Sequence, residues 1–180
     1  MRKLITAAIA STLLAGCQSW SERIAEYDEI YSLKAGDHLV LETEILYPEG
    51  HARVKMQGDG MVGTGGVDEY HPYCELEVTT VSDGHFRLNP DRFMVWKFSR
   101  QIMPWNFTGT PRVIAANDPD SHSQITYVSD VWVRSTTQPE VIKLSCRHVV
   151  EPEDRDFVTV AQMQEAIQGV LHFERQGSAR

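Results

Sequence analysis

The sequence predicts a mainly β domain: an antiparallel sandwich or open barrel of about 7–8 strands, with a short N-terminal helix and one C-terminal helix. Between residues 36 and 150, apolar residues repeatedly alternate with polar ones over short runs, the period of half-buried strands. Turn signals such as Pro48-Glu49-Gly50 and Asp83-Gly84 separate these runs. Helical spacing appears in only two stretches, one near each end of the chain.

The first seventeen residues, MRKLITAAIASTLLAGC, precede this domain. A basic start, an apolar run too short to span a membrane and a small-residue end are typical of a secretory signal peptide over residues 1–16. Leu14-Ala15-Gly16-Cys17 resembles the lipobox of bacterial lipoproteins. This resemblance implies cleavage before Cys17 and diacylation of its thiol (palmitate or related chains), and it allows acylation of the new amine as well. An ordinary signal peptide with an incidental cysteine, or an uncleaved membrane helix, are the alternatives.

Acyl chains on Cys17 would anchor the protein without a spanning helix, because two or more chains bind a bilayer stably. Gln18 follows the cysteine, whereas in the lipoproteins that this segment resembles an aspartate there favours the inner membrane. We therefore expect a lipid anchor in the outer membrane, with the domain on its periplasmic face; exposure at the cell surface is the alternative.

Removal of residues 1–16 from the 180-residue chain also removes Arg2 and Lys3, so the formal charge changes from −8 to −10. The remaining length suits one domain, expected at residues 36–175. A lipidated N-terminus with a membrane-proximal helix is expected at 17–35, and a disordered tail at 176–180. An acidic domain lacks the basic surface that attracts nucleic acid or anionic lipid. We expect it to contact the membrane only through its lipid.

The N-terminal helix is predicted over residues 19–33, where four apolar or aromatic residues share one helical face: Trp20, Ile24, Tyr27 and Tyr31. Such a helix either lies at the membrane with Trp20 in the interface or packs on the domain.

Strand patterns then cover residues 39–46, 52–57, 74–79, 85–88, 92–98, 124–134 and 140–149. Residues 92–98 are apolar on both faces, which favours a strand in the middle of a covered sheet. The stretch 58–66 contains a match to G-x-G-x-x-G, but no helical pattern follows it, so nucleotide binding is rejected and a flexible hairpin loop is expected. Residues 103–123 have little periodicity and predict a long irregular loop.

The C-terminal helix is predicted from its cap. Thr159 is a suitable N-cap, and Gln162 three residues later completes a capping box. Gly169 is a suitable stop. The apolar side of this helix carries Val160, Met163, Ile167 and Val170. A last strand is predicted over residues 170–174.

Cys74 and Cys146 remain as an even pair if Cys17 carries lipid, and disulfides persist in exported proteins. We expect them to form a disulfide that ties two parts of the sandwich together. Two free buried thiols or half of a metal site are the alternatives, although the chain has no C-x-x-C motif.

The sequence predicts no catalytic residue, metal ligand set or cofactor. The seven histidines lack compact ligand spacing, and His71 with His148 is the one pairing that the disulfide would favour. Residues 118–122 lack the central glycine and terminal acid of a calcium loop. No G-x-S-x-G motif occurs. Alternation places the acidic pairs on solvated strand faces: Glu42 with Glu44, and Glu75 with Glu77.

Burial in the core is the default interpretation of the aromatic residues, but they also give the best hints of a binding site. Trp105 and Phe107 lie in the irregular region, and if exposed they would form a hydrophobic patch for a partner. Alternatively, four residues of the strand region could line the apolar cavity of a carrier protein: Met94, Trp96, Phe98 and Trp132.

Five segments resemble a family of uncharacterised proteobacterial lipoproteins: YSLKAG at 31–36, LVLETEILYPEGHARVKMQ, YHPYCELE, the strand leading to LSC at 144–146, and VTVAQMQEAIQGVLHF. The resemblance implies a periplasm-facing β-rich domain with a paired cysteine and no assigned activity. We expect a non-catalytic interaction or accessory lipoprotein of the envelope, with a protein partner. A lipid or small-molecule carrier is the alternative, and a hydrolase the third possibility.

Overall fold

The computed structural model describes residues 27, 30, 32–58, 60–64, 66–79, 81, 83–104, 125–150 and 156–176. The chain divides into two units, Met1–Ser32 and Leu33–Arg180. In the first unit, Tyr27 and Ile30 are helical and exposed, within the stretch predicted as a helix. The predicted signal peptide, Cys17 and residues 177–180 lie outside the described residues.

The second unit is mainly β, which confirms the predicted fold class. Its described part contains, in chain order, β1 His38–Leu41, β2 Ile45–Tyr47, β3 Arg53–Gln57, β4 Gly60–Gly63, β5 Tyr73–Val78, β6 Phe86–Leu88, β7 Asp91–Pro104, β8 Ile125–Arg134, β9 Val141–Val150, α1 Val160–Ile167 and β10 Leu171–Glu174.

Eight strands form one antiparallel sheet in the order β10-β1-β7-β8-β9-β5-β3-β4, which curls into a half-barrel. The strands β2 and β6 form a separate two-stranded sheet. The single strand predicted over residues 39–46 is therefore two strands in different sheets. Leu41 and Ile45 are both buried and have the same parity, so the alternation hides the break between them.

The core lies against one face of the large sheet, here called the core face. Helix α1 and the β2–β6 pair contribute side chains to the same buried cluster as this face. Two contacts illustrate this arrangement: the Tyr47 hydroxyl donates to the Leu76 carbonyl over 3.1 Å, and Cys74 Sγ lies 3.9 Å from the Met163 carbonyl oxygen. The opposite face of the sheet is called the outer face.

The predicted capping box of α1 is present. The Gln162 amide donates to Thr159 Oγ1 over 3.2 Å, and the Thr159 amide donates to Gln162 Oε1 over 2.9 Å. After the helix, Gly169 adopts a φ of 77°, the left-handed conformation that favours glycine past a helix end.

The side chain of Gln164 covers the edge of β10. Its Nε2 donates to the Leu171 carbonyl over 3.2 Å, and its Oε1 accepts from the Phe173 amide over 2.8 Å. An amide side chain thus takes the place of a further strand, which protects a terminal strand against pairing with another chain.

Cys74 and Cys146 form a disulfide and are fully buried. They lie directly opposite each other on β5 and β9, with Cα atoms 4.0 Å apart. The bridge therefore joins neighbouring strands of one sheet, and the expectation that it would tie two parts of a sandwich together is wrong. A separation of 72 residues does not show which strands are neighbours.

The glycine-rich stretch was expected to be a loop, but β4 lies within it. Gly60 and Gly63 pair with Gln57 and Lys55 of β3, so β4 is the last strand of the sheet. Glycine disfavours strands through its entropy, but its backbone donors and acceptors are intact, and pairing with β3 outweighs this cost. Strand β7 likewise continues to Pro104, further than the pattern predicted.

Asp91, the first residue of β7, holds the connection between β8 and β9. Its Oδ2 accepts from Ser135 Oγ over 2.6 Å, Thr137 Oγ1 over 2.5 Å and Gln138 Nε2 over 3.2 Å. Its Oδ1 accepts from the Arg92 amide over 2.7 Å. Burial would raise the pKa of Asp91, but these hydrogen bonds outweigh it and the pKa lies below the ordinary value.

We expect Asp91 to make the stability depend on acid pH. Because its pKa is lower in the folded state, its stabilisation is complete above the unfolded pKa of about 3.9 and is lost as the pH falls through the folded pKa. Asp91→Asn should therefore lower the free energy of unfolding at neutral pH by about 1–2 kcal/mol, and by less in acid. Urea unfolding of both proteins across this range measures the difference. Glu165→Gln, at an exposed helix position, is the control. A deficit of equal size at every pH would contradict the prediction.

Candidate binding surface on the outer face

The predicted patch residues Trp105 and Phe107 lie outside the described residues. Large apolar side chains are instead exposed within β7 itself, where Met94 is 43% and Trp96 is 37% exposed. The core face of the same strand carries the fully buried Phe93 and Val95. The expectation that β7 is covered on both faces is therefore wrong, because its outer face is open here.

Alternation along β7 places Trp96 on the outer face with Met94, and a β-bulge at Trp96 then brings Lys97 to the same face. Val95 lies opposite Val133 and Lys97 lies opposite Trp132, so Trp96 is an extra residue with no direct partner in β8. Bulges redirect side chains and are frequent beside functional sites. The rings of Trp96 and Trp132 meet edge to face on this face of the sheet, with centroids 6.1 Å apart and planes at 62°.

The bulge overturns the cavity expected for a carrier, because it places Phe98 opposite the buried Val131 instead of on the face of Met94 and Trp96. Met94 and Trp96 are exposed on the outer face, while Phe98 packs against the core cluster. Trp132 lies beside Trp96 on the outer face. These four residues therefore do not line a common cavity.

Basic side chains lie over both indole rings. The Arg134 guanidinium carbon is 4.2 Å from the centroid of Trp96. Over Trp132 lie the Nζ atoms of Lys143, at 5.0 Å, and Lys97, at 5.4 Å. The Trp132 Nε1 donates to Ser99 Oγ over 3.1 Å, which orients the ring. We call Met94, Trp96, Lys97, Trp132 and Arg134 the indole cluster.

Beside the indole cluster, two buried acids link the central strands of the outer face. Asp130 is 4% exposed; its Oδ1 accepts from Ser145 Oγ over 2.6 Å and from Lys143 Nζ over 3.1 Å. Glu75 is 6% exposed and accepts from Arg147 Nη2 over 2.6 Å. The expectation that Glu75 is on a solvated face is wrong. Alternation shows which face a residue is on, but not whether neighbouring strands cover it.

Tyr73 extends this network. Lys55 Nζ and the Arg147 guanidinium carbon lie 5.9 Å and 5.8 Å from its ring centroid. Burial raises the pKa of Tyr73 to about 12, against the opposing effect of Arg147. Tyr73 therefore keeps its proton at physiological pH, and the network contains no titrating phenol.

A polar groove of about 1020 Å³ lies at the other end of the sheet, lined by His38, Glu42, Arg92, His172, Phe173, Glu174, Arg175 and Gln176. Glu42 Oε1 is 2.9 Å from His172 Nδ1, but the alignment is too poor for a hydrogen bond. The hydrogen bond from the Arg92 guanidinium, aided by His172, lowers the pKa of Glu174. The acids of this groove thus already have basic neighbours.

The histidine pairing that the disulfide suggested is not formed. His71 Nδ1 lies 3.0 Å from Asp68 Oδ2, while His148 Nε2 donates to the Asp156 carbonyl over 2.9 Å. Within the described ranges, no three histidine, cysteine, aspartate or glutamate side chains are grouped so that they could hold a metal ion.

The described part of the chain has no helix with the length and apolar character needed to cross a membrane. No family model matches the chain, and no curated protein or solved structure matches it. The resemblance to proteobacterial lipoproteins therefore remains a prediction.

Proposed function

We propose that the chain is a lipoprotein anchored in the outer membrane by acylated Cys17, and that its periplasmic β domain binds a protein partner without catalysing a reaction. The observation that supports partner binding is the indole cluster on the outer face of β7 and β8. It combines exposed Met94 and Trp96 with basic side chains stacked on the indoles.

The composition of this cluster is typical of an interface. Tryptophan, methionine and arginine are enriched in protein interfaces, and tryptophan and arginine carry much of their binding energy. The cluster also stands on β7 and β8, two long strands within the sheet. A surface on such strands is already ordered before it binds, which lowers the entropic cost of association.

The polar network beside the cluster is assigned a structural role. Ser145 is 2% exposed and Asp130 is 4% exposed, so a substrate has little access to them. Their polar groups are engaged with Lys143 and with each other. The carrier alternative has lost its supporting observation, because its expected lining residues do not share a cavity.

Site-specific crosslinking in membranes tests the proposal. A photoreactive amino acid at the exposed position of Met94 should give a reproducible crosslink to one protein, identified by mass spectrometry. Trp96→Ala should lower its yield about tenfold, because loss of a central tryptophan costs an interface 1.4 kcal/mol or more. Cys17→Ser should release the chain from the membrane.

Leu46→Ala is the matched control, since Leu46 is 44% exposed but lies on β2 in the other sheet. It should leave the crosslink unchanged. Equal crosslinking by the Trp96→Ala and parent proteins would remove the indole cluster from the proposal. Retention of the Cys17→Ser chain in the membrane would contradict the lipid anchor.

A further inference from the structure

Most basic residues of the outer face are paired with acids. The ion pairs on this face are Arg53 with Glu77, Lys55 and Arg147 with Glu75, Lys143 with Asp130, and Arg92 with Glu174. The sheet thus neutralises its own cations almost everywhere, as expected for an acidic chain of formal charge −8.

Lys97 and Arg134 are the exceptions. Both are exposed, and neither forms an ion pair with any residue that the structure describes. Each lies over an indole instead: Lys97 over Trp132 and Arg134 over Trp96. The two cations of the indole cluster therefore keep their charge available to a ligand.

Stacking prepares Arg134 to bind an anion. A guanidinium on an aromatic face is held by a cation–π interaction, while its N–H groups remain at the edge of the plane. This edge matches the two oxygens of a carboxylate, which it binds bidentately. Because Trp96 restricts the side chain, less conformational entropy is lost when the anion binds.

The neighbours of these cations indicate the kind of ligand. Met94 and Trp96 provide apolar contact next to Arg134 and Lys97. We propose that the indole cluster binds an acidic segment of the partner polypeptide, whose carboxylates meet Lys97 and Arg134 and whose apolar parts meet Met94 and Trp96. This inference rests on the proposed partner-binding function.

A membrane surface is the weaker match. Attachment to anionic lipid takes clusters of several basic residues, each contributing modestly. The indole cluster offers only Lys97 and Arg134 without acidic partners among the described residues, which is fewer cations than such attachment takes. The surface therefore suits a short acidic segment better than a charged bilayer.

A defined peptide tests the inference with the full chain purified in detergent. The probe is a fluorescent peptide in which glutamate and alanine alternate, compared with one in which glutamine replaces glutamate. Fluorescence anisotropy should show tighter binding of the glutamate peptide. Raising the ionic strength from about 0.01 M to about 1 M should abolish this preference, because the Debye length falls from about 30 Å to about 3 Å.

Two variants and one control locate the site. Lys97→Gln and Arg134→Gln should each weaken binding about fivefold, as expected for loss of one exposed charge contact. Arg87→Gln is the control, because Arg87 is an exposed cation on β6 that pairs with Glu44. It should bind the glutamate peptide like the parent protein.

Equal binding of the two peptides, or unchanged binding by Lys97→Gln and Arg134→Gln, would overturn the inference. The inference would also be overturned if the protein bound phosphatidylglycerol vesicles but not the peptide, and if both variants weakened that vesicle binding. If the protein does not bind the glutamate peptide while Trp96→Ala still lowers the crosslink yield about tenfold, the binding surface stands and the acidic partner is wrong. If Trp96→Ala also leaves the crosslink unchanged, the proposed function of this surface is wrong as well.

Discussion

Replacing Cys74 and Cys146 together by alanine should lower the free energy of unfolding by about 4 kcal/mol. The bridge joins residues 72 apart, and in the chain-entropy model a loop of this length restricts the unfolded chain by about that amount. The double substitution should change the folded structure little, because β5 and β9 also pair at the residues on both sides of the bridge. The variant should therefore fold in the same way but unfold at a lower temperature.

Thermal unfolding with and without reductant measures this effect. The parent protein should melt at a lower temperature in reductant, whereas the double variant should melt at that lower temperature in both conditions. Cys17→Ser is the control and should keep the full response, since the bridge does not use its sulfur. Identical gel migration and identical melting of the parent protein with and without reductant would rule out the disulfide.

The second large effect is expected at Asp130. Removing one member of a buried, hydrogen-bonded ion pair commonly costs about 3–5 kcal/mol, because the remaining charge is left without a partner. Asp130→Ala would leave Lys143 and the Ser145 hydroxyl without their shared acceptor. The side chain of Lys143 is 17% exposed and can reach some water, so we expect a loss of about 3 kcal/mol, at the lower end of that range.

Glu77→Ala provides the matched control on the same face. Glu77 pairs with Arg53 over 3.1 Å, but the Arg53 side chain is 57% exposed, and exposed ion pairs contribute about 1 kcal/mol or less. Urea unfolding should therefore separate the two variants by about 2 kcal/mol. Losses of similar size would show that burial does not distinguish Asp130 from Glu77.

Asp130 also connects stability with the proposed binding surface. Lys143 donates to Asp130 and lies over the Trp132 ring, so one side chain links the buried acid to the indole cluster. Gln101 of β7 donates to the same acid over 3.2 Å. Side chains of β7, β8 and β9 therefore meet at Asp130, and the network links these three strands next to Trp132.

Local patterns predicted the parts of the fold whose causes are local. Alternation predicted the mainly β class, and the Thr159 cap predicted the start of α1. The even pair of cysteines in a chain with a lipoprotein-like start predicted the bridge between Cys74 and Cys146. The β class and the helix cap depend on the identity and spacing of a few residues that are close in the chain, and the cysteine pair depends on the number of cysteines.

The candidate surface was not predictable in this way. The pattern of RFMVWKF groups Met94, Trp96 and Phe98 on one face, because it gives no sign of the bulge that turns Phe98 to the core face. A bulge depends on the register with β8, which begins about thirty residues later. The burial of Glu75 likewise depends on Lys55 and Arg147, which belong to the two neighbouring strands.

The residues and their spacing were enough to predict the strand-rich class, the capped helix, the cysteine pair and the lipid anchor. The pairing of distant strands was needed to show that the disulfide joins neighbouring strands, that Glu75 is buried, and that Lys97 and Arg134 lie over indoles instead of pairing with acids. The physical reason is that strand periodicity has a local cause, whereas the exposure and charge pairing of a side chain depend on strands brought beside it by long-range pairing.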